Sequence, residues 1–334
     1  MNNSIKYNSL DSFCEAYRID ILRCMELMSN PKYSTFQIPK KSGGKRTIES
    51  PEPELKSIQL AIASYLNSFY RAPDQVHGFV KNAPLVLSKN NLSNAQIHLK
   101  RGYLLNLDIK DFFHAISTKK VVSALQLEPF GFTYEMAVQF ALLCTVNGHL
   151  PMGAPSSPLL SNIVCRHLDF RMQQLMESHL NSSIIYTRYA DDLSFSSHTP
   201  FPIFFDQLVM ELLWKEGFEV NPKKYRMAGP HQAKYVTGIK VNQKMNLDRR
   251  YYRLLRAILH DAETNGLTHA MQNYARKNPH KHIANEKQFM RILYGKIRYM
   301  ARVKGEQTPS CYNTFLRLKA VYKTFNLNRS STSI

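Results

Sequence analysis

Asp191 and Asp192 are adjacent carboxylates between two apolar runs, residues 184–186 and 193–195, which are rich in Ile, Tyr, Leu and Phe. Such runs predict two short strands, so the tetrapeptide Tyr-Ala-Asp-Asp at 189–192 is predicted to form the turn of a hairpin with both carboxylates at its tip. Carboxylates on a rigid turn can hold Mg²⁺. Asp also favours tight turns for its own backbone hydrogen bonds, which leaves a purely structural turn open.

A third carboxylate, Asp108, ends an apolar run over residues 103–107, and this run predicts a buried strand that meets solvent at the aspartate. A Gly-Pro-Ser loop at 151–158 lies between helical patterns at 133–147 and 157–179. Three converging carboxylates can hold two divalent ions, which activate an attacking 3′-oxygen and stabilise a leaving pyrophosphate. The strand, the loop and the hairpin, in this order, predict a nucleotidyl-transfer site.

The chain has 334 residues, with 44 Lys and Arg against 25 Asp and Glu, a formal net charge of +19 and 44% hydrophobic residues. The apolar content predicts a packed core, and no linker or repeat divides the chain, so we expect one body with several lobes. The positive excess predicts a polyanionic partner. Nucleic acid is favoured over an anionic membrane because no basic amphipathic anchor stands out.

No apolar run approaches the roughly 18 residues that cross a bilayer, and the first residues lack a secretory signal. We therefore expect a cytoplasmic protein without a membrane partner. The five cysteines are widely spaced and form no C-x-x-C pair, so they indicate neither a disulfide framework nor a zinc site.

The remaining elements are predicted from periodicity. Helical patterns cover residues 1–30 and 54–70 and, with many basic residues, the chain from 248 onward. Residues 36–48 predict two strands around a Gly-Gly turn. Cations at this turn could clamp a triphosphate, and a solvated charged turn is the alternative. These cations are Lys40, Lys41, Lys45 and Arg46.

In these motifs the chain resembles the reverse transcriptases over almost all of its length. Residues 36–48 resemble the fingers motif, and 106–113, 150–162 and 189–192 resemble the first three palm motifs. The resemblance implies an RNA-directed DNA polymerase with an α+β, right-hand polymerase fold. Its parts would be N-terminal helices and fingers at 1–100, a palm of antiparallel sheet plus helices at 101–243, with part of the fingers inside it, and a basic helical thumb at 244–334.

The resemblance also implies the roles of the site residues. Asp108, Asp191 and Asp192 would be the catalytic ligands of two Mg²⁺ ions, with Mn²⁺ as a substitute, and the backbone carbonyl of Ile109 would be a further ligand. Nucleotide contacts are implied for Lys45, Arg46, Phe113, Gly153, Ala154 and Lys224.

The resemblance implies a different chemical role for each of these nucleotide-binding residues. Lys45 and Arg46 would be charge-assisted donors to the triphosphate. Phe113 would exclude a ribose 2′-OH, with a core aromatic as the alternative reading, and the Gly153-Ala154 turn would let nucleotide and template approach the backbone. Lys224, in a stretch similar to the fourth palm motif, would protonate the pyrophosphate, unless it is a solvated lysine.

Two shorter signals resemble the retron reverse transcriptases. They are Asn-Ala-Gln-Ile-His at 94–98 and Val-Thr-Gly at 236–238. The resemblance implies contacts with RNA or primer in these segments, with a primer-grip strand at 236–241. The residues are Asn94, His98, Val236, Thr237 and Gly238, and His98 is assigned no chemical role.

A retron enzyme would copy its own structured noncoding RNA from dNTPs, starting at a guanosine 2′-OH, into branched multicopy single-stranded DNA (msDNA). Host ribonuclease H would remove template RNA, and a separate toxin-like effector protein would join it in antiphage defence. Two alternatives remain open: another bacterial reverse transcriptase, of abortive-infection or diversity-generating type, and an RNA-binding scaffold with a dispensable polymerase site. Met152, where the family usually has Gln, and Tyr225, where Thr is common, depart from the pattern.

Overall fold

A computed structural model describes residues 6–40, 43–81, 89–179, 184–279, 281–306 and 308–330. Lys41 and residues 1–5, on which parts of the predictions rested, lie outside this set. The chain divides into two compact units, Met1–Gln232 and Ala233–Ile334. The division into fingers, palm and thumb at the bounds given above stays a prediction.

The first unit begins with helices α1 (Leu10–Tyr17) and α2 (Ile21–Ser29). The sequence predicted one helical stretch here, but Arg18 adopts a left-handed conformation with φ 55° and ends α1. The Asp20 carboxylate then caps α2 by accepting from Leu22 N at 2.9 Å. Local capping therefore separates two helices that the apolar pattern alone cannot distinguish.

Strands β1 (Tyr33–Pro39) and β2 (Lys45–Pro51) form an antiparallel hairpin, followed by helix α3 (Pro53–Phe69) with proline in its first turn. The predicted strand pair and helix are both confirmed. The next elements of the first unit, in chain order, are α4 (Asn91–Ile97), β3 (Tyr103–Asp108), α5 (Thr118–Gln126), α6 (Tyr134–Cys144), α7 (Ser157–Val164), α8 (Arg166–His179), β4 (Ile185–Tyr189), β5 (Asp192–Ser197), α9 (Phe205–Lys215) and β6 (Arg226–Ala228).

Four of these strands form an antiparallel sheet in the order β4-β5-β3-β6. Leu105 and Leu107 of β3 and Phe195 of β5 belong to one buried cluster that also holds Phe13 of α1 and Phe140 of α6. Helices thus cover the sheet and exclude water from it. This packing fixes the strand register, because a shift by one residue would move Leu105, Leu107 and Phe195 to the opposite face of the sheet.

Two helices differ from their predicted bounds. The pattern at 157–179 is interrupted by a turn at Cys165, which separates α7 from α8. Helix α6 ends at Cys144, three residues early, because Thr145 is extended, and Asn147 and Gly148, with φ 49° and 80°, then form a tight turn. Val146 and His149 exchange two backbone hydrogen bonds of 3.0 Å across this turn.

The second unit contains β7 (Tyr235–Val236), β8 (Ile239–Lys240), α10 (Arg249–Thr264), α11 (Leu267–Arg276), α12 (Glu286–Lys304) and α13 (Pro309–Ser330). The predicted basic helices are confirmed. The single strand predicted at 236–241 is wrong, because the chain reverses at Thr237 and Gly238, whose φ angles of 45° and 81° suit a two-residue hairpin turn. Among the described residues, no helix combines the length and apolarity needed to cross a membrane.

Candidate active site

The predicted hairpin is present, and its turn is tight. Tyr189 pairs with Asp192, so only Ala190 and Asp191 lie between the strands, and Ala190 has φ 57°. Strand β3 lies on the other side of β5 with Asp108 directly opposite Asp192. One carboxylate oxygen from each aspartate lies within 4.8 Å of the other two. The sheet register therefore brings together three carboxylates that are up to 84 positions apart in the sequence.

Crowding of three carboxylates makes this triad electrostatically unfavourable without a cation, although Asp191 is half-buried and Asp192 is exposed. Asp108 is only 3% exposed, so the expectation that it meets solvent is wrong. Desolvation, with the negative charge of Asp108 next, raises the pKa of Asp191. Desolvation and the charges of both neighbours raise the pKa of Asp192 to about 7. An all-oxygen donor set with excess negative charge suits a hard divalent cation.

Lys224 is the basic group next to the triad. Its Nζ donates to Asp108 Oδ2 at 2.5 Å, while the neighbouring backbone is held by Asn221 N, which donates to Asp108 O at 2.8 Å. The contact with Asp108 raises the pKa of Lys224 against the opposing effect of desolvation, which is the larger single influence. The Lys224 ammonium, which was predicted to contact the nucleotide, thus bonds the Asp108 carboxylate in this structure.

A cavity of about 830 Å³ opens beside the triad. Asp108, Ile109 and Asp191 line it, and Lys45 and Arg46 of β2 line it as well. Opposite charges therefore face one space that has the size of a small-molecule site. Lys45 and Arg46, which were predicted to contact a triphosphate, thus line the same cavity as the carboxylates, and a nucleotide bound there could contact both groups.

Phe113 and Phe112 play different parts in the cavity wall. Phe112 is buried and belongs to the hydrophobic core. Phe113 is half-buried, lines the cavity and packs against Phe112 and Phe79, with ring centroids 5.4 and 6.1 Å apart. Its position is compatible with the predicted discrimination against ribose.

The Gly153-Ala154 turn faces the protein itself. Gly153 has φ 137°, and an added Cβ would lie 2.8 Å from Ile48 Cγ2 and 2.9 Å from the Glu49 carbonyl oxygen. Ala154 is buried. Met152, rather than either predicted residue, lines the cavity. The glycine is required by close packing against β2, and direct nucleotide contact at this turn stays a prediction.

Asn94 and His98 require correction, because both side chains are fully buried. His98 Nδ1 lies 2.7 Å from Ser196 Oγ and its Nε2 lies 2.7 Å from Thr187 Oγ1, so the ring joins β4 to β5. Burial lowers its pKa to about 3. In this conformation the two side chains cannot contact RNA, and His98 is a structural histidine.

The Val-Thr-Gly segment belongs to the second unit. The Val236 side chain is also fully buried, which is incompatible with direct contact to a primer in this conformation. Thr237 and Gly238 form the hairpin turn, and Gly238 is exposed. Contact with RNA through these two turn residues stays a prediction.

Sequence reasoning missed Arg188, a buried residue of β4 whose side chain supports the hairpin turn. Its guanidinium is fully buried and donates to both carboxylate oxygens of Asp169, at 2.8 and 2.6 Å, and to Asn162 Oδ1 at 3.1 Å. Its Nη1 also donates to the carbonyl of Ala190 in the turn, at 3.4 Å. An arginine inside an apolar strand was a usable signal, because buried charges require partners.

Gly78 was missed for a different reason. Residues 75–77 run beside β4, with His77 N donating to Arg188 O at 2.9 Å and Arg188 N donating to Gln75 O at 2.8 Å. A Cβ on Gly78 would lie 2.5 Å from Ala190 N. Only glycine lets this segment approach the turn, and no local sequence pattern indicates which glycine meets such a neighbour.

Comparison with known proteins agrees with this geometry. A family described as "Reverse transcriptase (RNA-dependent DNA polymerase)" matches residues 38–241. The retron Ec86 reverse transcriptase of Escherichia coli is 31% identical over 260 residues, covering 76% of this chain and 78% of that protein. The retron Mx65 reverse transcriptase of Myxococcus xanthus is 34% identical over 247 residues, covering 68% of this chain and 55% of the relative.

Among solved structures, the telomerase of Candida albicans, in complex with a TWJ fragment of telomeric RNA, is similar with a TM-score of 0.47 and 11% identity. The match covers 89% of this chain and 64% of that one. The family match spans the end of β1, all of β2, the central sheet and the carboxylate triad. The predicted α+β, right-hand polymerase fold is confirmed, and the chain belongs to the reverse transcriptases, as an RNA-directed DNA polymerase of the retron type.

Proposed function

We propose that this enzyme copies a structured noncoding RNA into branched msDNA, beginning at a guanosine 2′-OH, by two-metal nucleotidyl transfer. The observation that carries the proposal is the convergence of Asp108, Asp191 and Asp192 beside a cavity lined by Lys45 and Arg46. Similarity to retron reverse transcriptases supports the choice of RNA and product.

The triad would hold the metal ions, with Mg²⁺ as the physiological ion and Mn²⁺ as a substitute. The backbone carbonyl of Ile109, which lines the same cavity, is proposed as an additional ligand. When bound, such ions activate the attacking oxygen and stabilise the leaving pyrophosphate. Lys224 would leave Asp108 as the positive charge arrives, and its ammonium would then be available to donate a proton to the pyrophosphate.

The nucleotide would lie in the 830 Å³ cavity, with its triphosphate against Lys45 and Arg46 and its sugar against Phe113. If Phe113 excludes the ribose 2′-OH, Phe113→Ala should increase the use of ribonucleotides over deoxyribonucleotides by about tenfold or more, since only a steric clash opposes them. Incorporation assays with each nucleotide class on a primed RNA measure this ratio. An unchanged ratio in an active variant would refute the assignment.

The polynucleotide partners are proposed from charge and similarity. A net charge of +19 suits RNA and its DNA copy. The basic helices of the second unit are proposed to contact the phosphate backbone of the duplex. Host ribonuclease H would degrade the copied RNA, and a separate effector protein would complete an antiphage system in the cytoplasm. The five cysteines are free thiols, which fits that compartment.

The proposal is tested by expressing the gene with its native flanking DNA and separating extracted nucleic acid on a denaturing gel. We expect a short DNA whose mobility changes after ribonuclease or debranching treatment and which disappears in the Asp191→Asn, Asp192→Asn variant. RNA binding by the variant should persist, because the triad does not hold the RNA backbone.

Three other outcomes would each change the proposal. DNA synthesis by the double variant would refute the metal ligands. Activity on a generic primed RNA without a branched product would indicate a reverse transcriptase of abortive-infection or diversity-generating type. A biological phenotype that survives the double substitution would favour the RNA-binding scaffold.

A further inference from the structure

A second group of metal-ligand side chains lies beside the cavity, and it differs chemically from the aspartate triad. It consists of Glu49, His114 and His149, whose potential ligand atoms all lie within 4.8 Å of one another. Nitrogen and oxygen donors in this ratio, His₂Glu, are typical of zinc sites that keep one coordination position open. We propose that these three residues bind a Zn²⁺ ion.

The donor atoms converge on one point. His149 Nε2 lies 3.0 Å from Glu49 Oε2, and His114 Nε2 lies 4.0 Å from the same oxygen. Ligands at Zn–N and Zn–O distances of about 2.0–2.2 Å in a tetrahedral arrangement are about 3.4 Å apart. The two observed separations bracket that value, so small side-chain rotations bring all three atoms to an ion.

The electrostatics of the group also favour a cation. Glu49 is 8% exposed, and among the described residues its carboxylate has only these two imidazoles as basic groups within 4 Å. A buried carboxylate is costly without a positive partner. Protonating both imidazoles would overcompensate this single charge and place two like charges side by side, since the ring centroids lie 4.4 Å apart. A divalent ion supplies the positive partner and can be bound by the carboxylate and by both neutral rings.

Three separately folded segments supply the ligands. Glu49 belongs to β2 and its backbone N donates to Met152 O at 2.9 Å. His114 directly follows Phe113, and His149 is placed by the tight turn at Asn147 and Gly148. An ion shared by these segments would hold β2, with Arg46, at a fixed distance from the Phe113 loop. It would thus set the width of the cavity without taking part in the chemistry.

Access to the group is available from solvent. The His114 and His149 side chains are 40% and 18% exposed, and His114 lines the cavity. The donor atoms of the two groups differ, because the Asp triad offers only oxygen and the His₂Glu group offers mainly nitrogen. The two groups should select different ions in the same protein, with Mg²⁺ preferring the first and Zn²⁺ the second.

The test uses the chelator-treated full-length protein in millimolar Mg²⁺, titrated with Co²⁺ as a visible probe and then with Zn²⁺ in competition. We expect about one Zn²⁺ per chain, with affinity at least about tenfold lower in His114→Gln and His149→Gln, because even indirect supports of a zinc site are worth that much. His167→Gln is the matched control, since His167 pairs with Glu216 at 2.9 Å at a different place on the surface. The control and the Asp191→Asn, Asp192→Asn variant should bind Zn²⁺ as the unaltered protein does.

The site would be overturned by the absence of saturable Zn²⁺ binding or by histidine variants that bind Zn²⁺ as tightly as the unaltered protein. Loss of Zn²⁺ binding in the aspartate variant would also overturn it. X-ray absorption of the Zn²⁺-loaded unaltered protein identifies the ligand atoms directly. It needs no substitution, so a folding defect in a variant cannot affect the result. Nitrogen and oxygen neighbours at about 2.0–2.2 Å with imidazole scattering are expected. Sulfur ligands would instead place the ion at cysteines and refute the proposal. None of these measurements depends on polymerase activity.

Discussion

Two groups of charged side chains lie at the same hairpin, and their charges are balanced differently. Asp169 is fully buried and accepts two bonds from Arg188 and one from Tyr186 Oη at 2.8 Å. On the other side of the turn, three carboxylates share one lysine. The first group is neutral and complete within the protein, whereas the second leaves negative charge that an external cation must neutralise. Charge balance therefore separates a supporting site from a metal-binding one.

The largest effect on stability is expected from breaking the balanced pair. Arg188→Met would leave Asp169 buried without its cation, so the free energy of unfolding should fall by about 3–5 kcal/mol. Arg171→Met is the matched control, because Arg171 lies on the same helix as Asp169 and bonds Glu216 at 3.1 Å with 40% of its side chain exposed. The control should cost about 1 kcal/mol or less. Urea denaturation measures both changes.

Equal losses in the two arginine variants would contradict the comparison. In that case the Arg188 and Asp169 pair would behave as a surface ion pair, and hairpin support would have to come from packing alone.

The next effect concerns His98, which is buried and neutral in the folded protein. Its folded pKa of about 3 lies below the ordinary value of 6.5. Protons therefore bind the unfolded chain first, and stability is lost as pH falls from 6.5 toward 3, by about 1.4 kcal/mol per pH unit from this group. Between pH 6.5 and about pH 5 this amounts to about 2 kcal/mol.

Urea denaturation at several pH values checks this expectation with His98→Asn, which cannot titrate. The variant should lose less stability on acidification than the unaltered protein. Some loss should remain, because burial also lowers the pKa of His77, to about 4. An identical slope in both proteins would show that His98 is not the buried neutral histidine described above.

The smallest expected effect is a gain. Asp192→Asn removes one of the mutually repelling carboxylates, and unfolding in the absence of divalent ions should require about 1 kcal/mol more free energy, because like charges at this separation repel measurably even with partial screening. Millimolar Mg²⁺ should reduce or reverse the difference, since it stabilises mainly the protein that can bind it.

Thermal unfolding with and without Mg²⁺ gives that difference. A variant that is less stable than the unaltered protein without metal would mean that Asp192 serves the fold, as Asp169 does, and would weaken the contrast between the two groups.

Several parts of this protein could be predicted from local sequence. The apolar runs on either side of Tyr-Ala-Asp-Asp predicted β4, β5 and their turn, and the run ending at Asp108 predicted β3, because short apolar runs bounded by turn residues are typical of buried strands. Breaks between helices were harder to predict, since no local sequence pattern indicates the left-handed Arg18 or the turn at Cys165. Motif residues also failed as indicators of exposure: Asn94, His98 and Val236 belong to recognisable segments yet have buried side chains.

By itself, the sequence determined the polymerase class, the three carboxylates and the basic character of the chain, because these follow from short motifs and from composition. Only the tertiary structure decided what those residues touch. It placed Lys224 on Asp108, Arg188 beneath the turn, and Glu49 beside His114 and His149. The reason is physical: sheet register and helix packing bring distant segments within a few ångströms, and charge compensation there depends on distances that no local pattern records.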